Sequence, residues 1–196
     1  MEYPAFKPAL GLLIKSMTND DLSKQHTNHQ VILPIGPTPQ VLLNLGMPEL
    51  QLVISGKVVD KVLFDHGIPK GTLERLYSLL EAPKAIFKGH QGNPGSAVLT
   101  FEVKGMAPII IAVHPNKQMG GRNGTRYNNI ASMYPKESKP GESIEERWTR
   151  EGLLLWKASS AKVMPIAETS ALLEAPPAAE VPRLAIVRAL KVAGQK

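Results

Sequence analysis

The chain has no cysteine, which excludes a disulfide framework, a thiolate zinc site and a cysteine nucleophile. Aromatic residues make up only 5% of its 196 residues, so Leu, Ile and Val must fill the core. Histidine is equally sparse, five in all, which leaves few side chains able to titrate near neutral pH. No apolar run approaches the ~20 residues that span a bilayer. The opening residues, Met1-Glu2-Tyr3-Pro4-Ala5-Phe6-Lys7-Pro8, lack the charged-then-apolar order of a secretory signal. The expectation is a soluble, cytoplasmic protein with no membrane partner.

Charge of one sign is in excess. The formal net charge is +6 and the sequence pI about 9.5, a balance that favours polyanionic partners, nucleic acid first among them. The length suits one domain with extended ends and is enough for a core that needs no staples.

Periodicity sets out the elements. Ala9 to Met17 reads as a short helix, and Gln25 to Gln30 as a polar loop in which His26 and His29 carry no role. Val31–Ile35 and Gln40–Leu45 read as strands, and the prolines around them point to sheet edges. Leu50–Ser55 is a further strand. Val58, Val59, Val62 and Leu63 recur at helical spacing, with Gly67 as the stop. A second helix opens at Pro69 or Lys70, carries Leu73, Leu76, Leu79 and Leu80, and ends at Pro83.

The period then changes to that of strands over Ala85–Gly89, Ala97–Val103, Ile109–Val113 and Asn128–Tyr134, joined by connections short enough for an antiparallel meander. Leu153–Lys157 is a fifth strand or a short helix. The charged stretch Glu142–Glu151 reads as a solvated helix with Ile144, Trp148 and Leu155 turned inward.

The expected fold is α+β, with two helices packed on an antiparallel sheet of about four to five strands. An N-terminal extension (1–49) precedes the domain (50–157). A flexible Pro/Ala-rich tail (158–196) follows it, with a terminal helix over Pro182–Val192.

The punctuating residues carry a resemblance. His66-Gly67-Ile68 stands at the helix corner, and Pro83-Lys84-Ala85-Ile86-Phe87 enters the sheet. Ile109–Val113, Asn129-Ile130-Ala131-Ser132-Met133-Tyr134 and Gly152-Leu153-Leu154-Leu155-Trp156 follow. Over about Leu50 to Lys157 this order resembles the nuclease-like domains of phage and plasmid polyvalent proteins. These belong to the barnase–EndoU–colicin–RelE-like group and include the C-terminal domains of Mu-type phage head proteins. The resemblance implies a metal-independent ribonuclease, acting as a toxin or effector, with no cofactor. Its partners would be RNA and an antitoxin, immunity or host protein. It also implies a catalytic set of a helix-borne histidine, a basic residue and a late-strand hydroxyl. Those roles map to His66, to Lys70 or Arg126, and to Ser132, with Tyr134 beside it.

The residues support that chemistry on their own terms. Metal-free RNA cleavage needs a base for the 2′-hydroxyl, an acid for the leaving oxygen, and cations for the phosphorane. His66 suits proton transfer, and alanine there is expected to abolish cleavage with the fold intact. Its plain alternative is a helix C-terminal residue favoured by the macrodipole. Gly120-Gly121-Arg122-Asn123-Gly124-Thr125-Arg126-Tyr127 offers amides and guanidiniums to phosphate, Tyr127 a face for stacking, and Lys117 a further cation. Its alternative is a surface loop with Asn123-Gly124 as a tight turn. Ser132 and Tyr134 alternate with Ala131 and Met133 and so share one strand face. His90 and His114 end predicted strands, and no metal is assigned to them. The rival reading is a non-catalytic module that binds nucleic acid or protein.

Overall fold

Seven strands form one sheet in the order β1-β2-β6-β5-β4-β3-β7. The computed structural model describes residues 1–18, 27–89, 93–103, 106–120, 124–138 and 140–158, and all of these lie in one compact unit, Met1–Ser159. The Pro/Ala-rich tail beyond Ala158, with its expected terminal helix, lies outside the described residues.

Helix α1 (Phe6–Thr18) buries Phe6, Leu10 and Leu13 at positions i, i+4 and i+7, and each contributes roughly 1.5–3 kcal/mol by leaving water. A short helix α2 (27–30) leads into β1 (Ile32–Pro37). This strand lies at one end of the sheet order, where Pro34 and Pro37 do not interrupt a central ladder.

The segment expected as a strand over Gln40–Leu45 is instead a single helical turn, α3 (Gln40–Leu43). Pro39 opens it, its carbonyl accepting from the Leu42 amide at 2.9 Å, and Gln40 Nε2 donates to Asn44 Oδ1 at 2.8 Å. Leu42 is fully buried. Tertiary anchoring of this one side chain overrides the β-rich composition.

Strand β2 (Gln51–Ser55) turns directly into α4 (Gly56–Asp60). A π-helical turn (Lys61–Asp65) follows and ends on His66. At the tight β2–α4 junction, a Cβ on Gly56 would fall 1.9 Å from the Asn28 carbonyl oxygen. Gly56→Ala is therefore expected to cost about 1–3 kcal/mol, as overpacked sites do. A urea midpoint that falls at constant m-value would report it.

The second expected helix is broken in two, α5 (Lys70–Leu73) and α6 (Leu76–Glu81). Arg75 between them has left helical geometry (φ −101°, ψ 10°), and the break lets Leu73, Leu76, Tyr77 and Leu80 all reach the core.

Strands β3 (Ala85–Lys88), β4 (Ala97–Phe101), β5 (Ile109–Met119) and β6 (Thr125–Pro135) form the expected antiparallel meander. The last two are longer than expected. Beyond the last β4 partner, Val113, they continue as a two-stranded arm paired through Lys117–Tyr127 to Met119–Thr125. Helix α7 (Ile144–Arg150) and strand β7 (Leu154–Lys157) complete the unit. β7 pairs antiparallel with β3.

The sheet exceeds the expected four to five strands on the side of β6. β1 and β2 join it through a parallel pairing, Leu52–Asn128 to Ile54–Ile130, while β7, the expected fifth strand, borders β3.

Side chains alternate between the two faces of this sheet. Leu52, Ile54, Ile86, Leu99, Ile109, Ile111, Val113, Ile130 and Met133 share one core with α1 and α4 to α6. The opposite face bears α7 and the site described next.

Candidate functional site

On the face away from the core, β5 presents Ile110, Ala112 and His114, and β6 presents Asn129, Ser132 and Tyr134. The pairs Ile110–Tyr134, Ala112–Ser132 and His114–Asn129 lie in register, with a bulge between Ala112 and Val113 absorbing one extra residue of β6. Helix α7 covers part of this face, and its start is fixed by a capping box. Ser143 Oγ accepts from the Glu146 amide at 3.2 Å, while the Ser143 amide donates to Glu146 Oε2 at 2.8 Å. The Ser143 amide first, and then the Ser143 hydroxyl, which donates to Glu146 Oε2 at 2.8 Å, hold the Glu146 carboxyl below its ordinary range.

Three contacts dock the helix. Trp148 packs edge-on against Phe87 with centroids 5.2 Å apart. Thr100 Oγ1 donates to Glu145 Oε1 at 2.7 Å. Lys84 Nζ reaches Glu145 Oε2 at 3.1 Å. The inward turn expected for Ile144 and Trp148 is observed. Leu155 differs, lying on β7 and exposed.

Between α7 and the strands lies a cavity of about 350 Å³ lined by Gly89, Ser96, Val98, Ile110, Ala112, His114, Tyr134, Lys136, Arg147 and Trp148. Its ionisable lining is His114, Tyr134, Lys136 and Arg147, and no carboxylate is among the lining residues. Lys136 Nζ stands 5.6 Å over the Trp148 ring, a cation–π placement. Arg147 Nε is buried without a hydrogen-bond partner among the described residues, the nearest carboxylate, Glu151, being 3.7 Å away. Asn129 Oδ1, in register with His114, is likewise buried and unpartnered. Leaving such atoms unpaired costs about 1–3 kcal/mol each, so water, an ion or a ligand is needed to complete them. Burial, and secondarily the Lys117 charge, push the His114 pKa below its ordinary value, so its imidazole is neutral at pH 7.

The sequence-predicted residues fall into separate groups. His66 and Tyr134 meet, their ring centroids 5.8 Å apart. The β2–β6 pairing ends at Ile130, and α4 with its π turn follows β2 at that point, carrying His66 toward the last residues of β6. Gly67 adopts φ +62°. The Ile68 amide then returns to the Val62 carbonyl at 3.0 Å, the closure that a left-handed C-cap produces. The His66 ring is exposed, and Tyr134 joins it to the cavity. Ser132 shares the face of Tyr134, about 7 Å away along the strand.

Arg126 lies away from this point, and Lys70 is paired within its own helix. Arg126 is eight residues from Tyr134 on β6 with one bulge residue between, roughly 24 Å at the antiparallel rise, and its guanidinium donates to the Asn116 carbonyl at 3.1 Å. Lys70 stands in the first turn of α5 with its ammonium 3.2 Å from Glu74. Lys117 and Tyr127 pair across the arm. Arg122 and His90 lie outside the described residues.

His114, Lys136, Arg147 and Trp148 were not among the predicted site residues. The discernible signal was the alternation Ile110-Ala112-His114, which sets this histidine opposite the apolar Ile109-Ile111-Val113 series.

Among the described residues no three His, Asp or Glu side chains gather as metal ligands, and no helix is long and apolar enough to cross a membrane.

A mixed sheet with helices on its core face and a cationic cavity on the other defines the class. Residues 57–162 match the family model of the phage MuF C-terminal domain, more than half of the chain, and the chain belongs to that family. The matched span runs from Lys57, the second residue of α4, through β7 and contains every residue of the cavity. No curated protein and no solved structure matches the chain.

Proposed function

We propose that this domain cleaves RNA without a metal ion, in the manner of barnase–EndoU–colicin–RelE-like nucleases, as a phage-borne toxin or effector. The observation that carries the reading is the lining of the α7 cavity, where an imidazole, a phenol, an ammonium and a guanidinium converge with no carboxylate among them. Such a lining attracts phosphate, with Glu151, 3.7 Å from Arg147 Nε, as the competing carboxylate.

In this reading the neutral His114 ring takes the 2′-hydroxyl proton as that oxygen attacks phosphorus. The P–O5′ bond breaks, and the 5′-oxygen takes a proton from His66. The products are a 2′,3′-cyclic phosphate and a 5′-hydroxyl. Arg147 and Lys136 hold the non-bridging oxygens while charge builds on them. Tyr134, which touches the His66 ring and lines the same cavity as His114, donates from its hydroxyl, and Ser132 orients the sugar. Lys70 and Arg126 take no part at the centre, the first engaged by Glu74 and the second by the arm.

Labelled RNA incubated with the protein in chelator is expected to yield fragments ending in cyclic phosphate. Arg147→Gln is expected to lower kcat/KM on the order of 10²-fold, the usual loss for one transition-state donor. RNA retained but uncut, equally by the native protein and His114→Ala, would overturn the enzyme and leave a binding module. Neither cutting nor retention would remove RNA altogether.

A further inference from the structure

The cationic face does not end at the cavity. Past His114–Asn129 the next pair on the same side of the ribbon is Lys117–Tyr127, a two-residue bulge at 115–116 keeping Lys117 opposite Tyr127. Tyr127 and Asn129 are two apart on β6 and share a face. Tyr127 thus lies about 7 Å from Asn129, and Tyr134 roughly 20 Å from Tyr127 allowing for the bulge residue. Both tyrosines are partly exposed. One open strip therefore runs along β5 and β6, with a phenol ring at each end, an imidazole and two lysines between or beside them, and no Asp or Glu in either strand.

Resting on the nuclease reading above, we propose that the substrate is single-stranded RNA laid along this strip, and that Tyr127 with Lys117 forms a distal subsite that stacks one unpaired base. A duplex hides its base faces and cannot use such a platform. Splayed single strands stack on aromatic side chains whatever their sequence. Lys117 neutralises the phosphate beside that base. Arg126, on the opposite side of the arm, ties the ribbon to the Asn116 carbonyl and keeps Tyr127 in place. The strip accommodates about four nucleotides, the low end of single-strand site sizes.

The experiment measures kcat/KM in chelator on 5′-labelled oligouridylates of two, four and eight nucleotides and on an eight-base-pair RNA duplex. The native protein is expected to gain about tenfold from two to four nucleotides and little from four to eight, with the duplex the poorest substrate. Tyr127→Ala is expected to lose about tenfold on the tetramer, through KM, and nothing on the dimer, while Tyr127→Phe retains the native values. At about pH 8, where the His114 ring is neutral with or without the Lys117 charge, Lys117→Gln should reproduce the length-selective loss with a smaller amplitude. Cleavage that is independent of length, a Tyr127→Ala loss equal on dimer and tetramer, or a preferred duplex would overturn the subsite and leave the nuclease standing. Absence of cleavage on every oligonucleotide would remove both.

Discussion

His114→Ala is expected to lower kcat/KM for RNA on the order of 10²–10⁴-fold, the contribution of a positioned proton acceptor. Its circular dichroism spectrum should stay unchanged. The ring is half-buried at the edge of the cavity, outside the core cluster, so truncation leaves the fold standing. The pH profile separates a base from a residue that only shapes the pocket. Burial and Lys117 hold the imidazole below its ordinary value of 6.5, so the base is already unprotonated at neutral pH and the acid limb of kcat/KM should break below pH 6.5. The Lys117→Gln variant should move that break upward.

The same shift links to stability. Above pH 6.5 neither folded nor unfolded chain protonates this ring. As the pH falls past that value the unfolded chain takes up a proton first, and folding stability declines until the folded ring also titrates. An acid limb at or above the ordinary histidine value, or full activity in His114→Ala, would sink the assignment.

Asn128→Ala is expected to destabilise the protein by about 3 kcal/mol, three buried hydrogen bonds at roughly 1 kcal/mol each. Asn128 has no exposed surface. Its Nδ2 donates to Thr38 Oγ1 at 2.6 Å and to the Pro48 carbonyl at 2.7 Å, and its Oδ1 accepts from the Asn116 amide at 3.1 Å. Thr38 in turn donates to the Leu50 carbonyl at 2.6 Å. One amide therefore ties β6 to the segment around α3 and to the bulge that starts the arm. Asn128→Asp should be worse than alanine, because a carboxylate there cannot donate to Thr38 or Pro48 and carries a charge into the interior. Thermal unfolding should show a fall of about 10 °C for alanine. A fall of less than about 2 °C would mean water replaces the bonds at little cost.

Much of the unit was legible from local pattern. The meander over β3 to β6 follows from short connections between alternating runs, and the stop at Gly67 from its freedom to adopt positive φ. The proline-marked β1 takes a sheet edge as its missing amides require. What escaped was set by partners distant in sequence. Nothing near Gln51–Ser55 announces that its parallel neighbour is Asn128–Ile130, and without that pairing the sheet is two strands short on one side. Gln40–Leu43 looks like a strand until Leu42 is seen to need the core.

The candidate site divides the same way. His66 beside Tyr134 was readable, since a helix corner and a late strand hydroxyl were both marked in the chain. Arg147 was read as part of a solvated charged helix, and Trp148 as one of its inward-facing residues without a site role. Only the capping box at Ser143 and the Phe87–Trp148 contact fix the face they present. Arg126 was drawn into the catalytic set as the basic residue the resemblance implies, and the strand rise separates it from Tyr134.

The parallel β2–β6 seam also bears on synthesis. Ribosomes emit the β1–β2 hairpin long before its neighbour exists, so one margin of that ribbon stays unzipped until the chain has grown past Ile130. The layer built by α1 therefore waits for the later meander, and the nascent N-terminal third has a period of exposure in which a chaperone, or another copy's unzipped margin, competes for it.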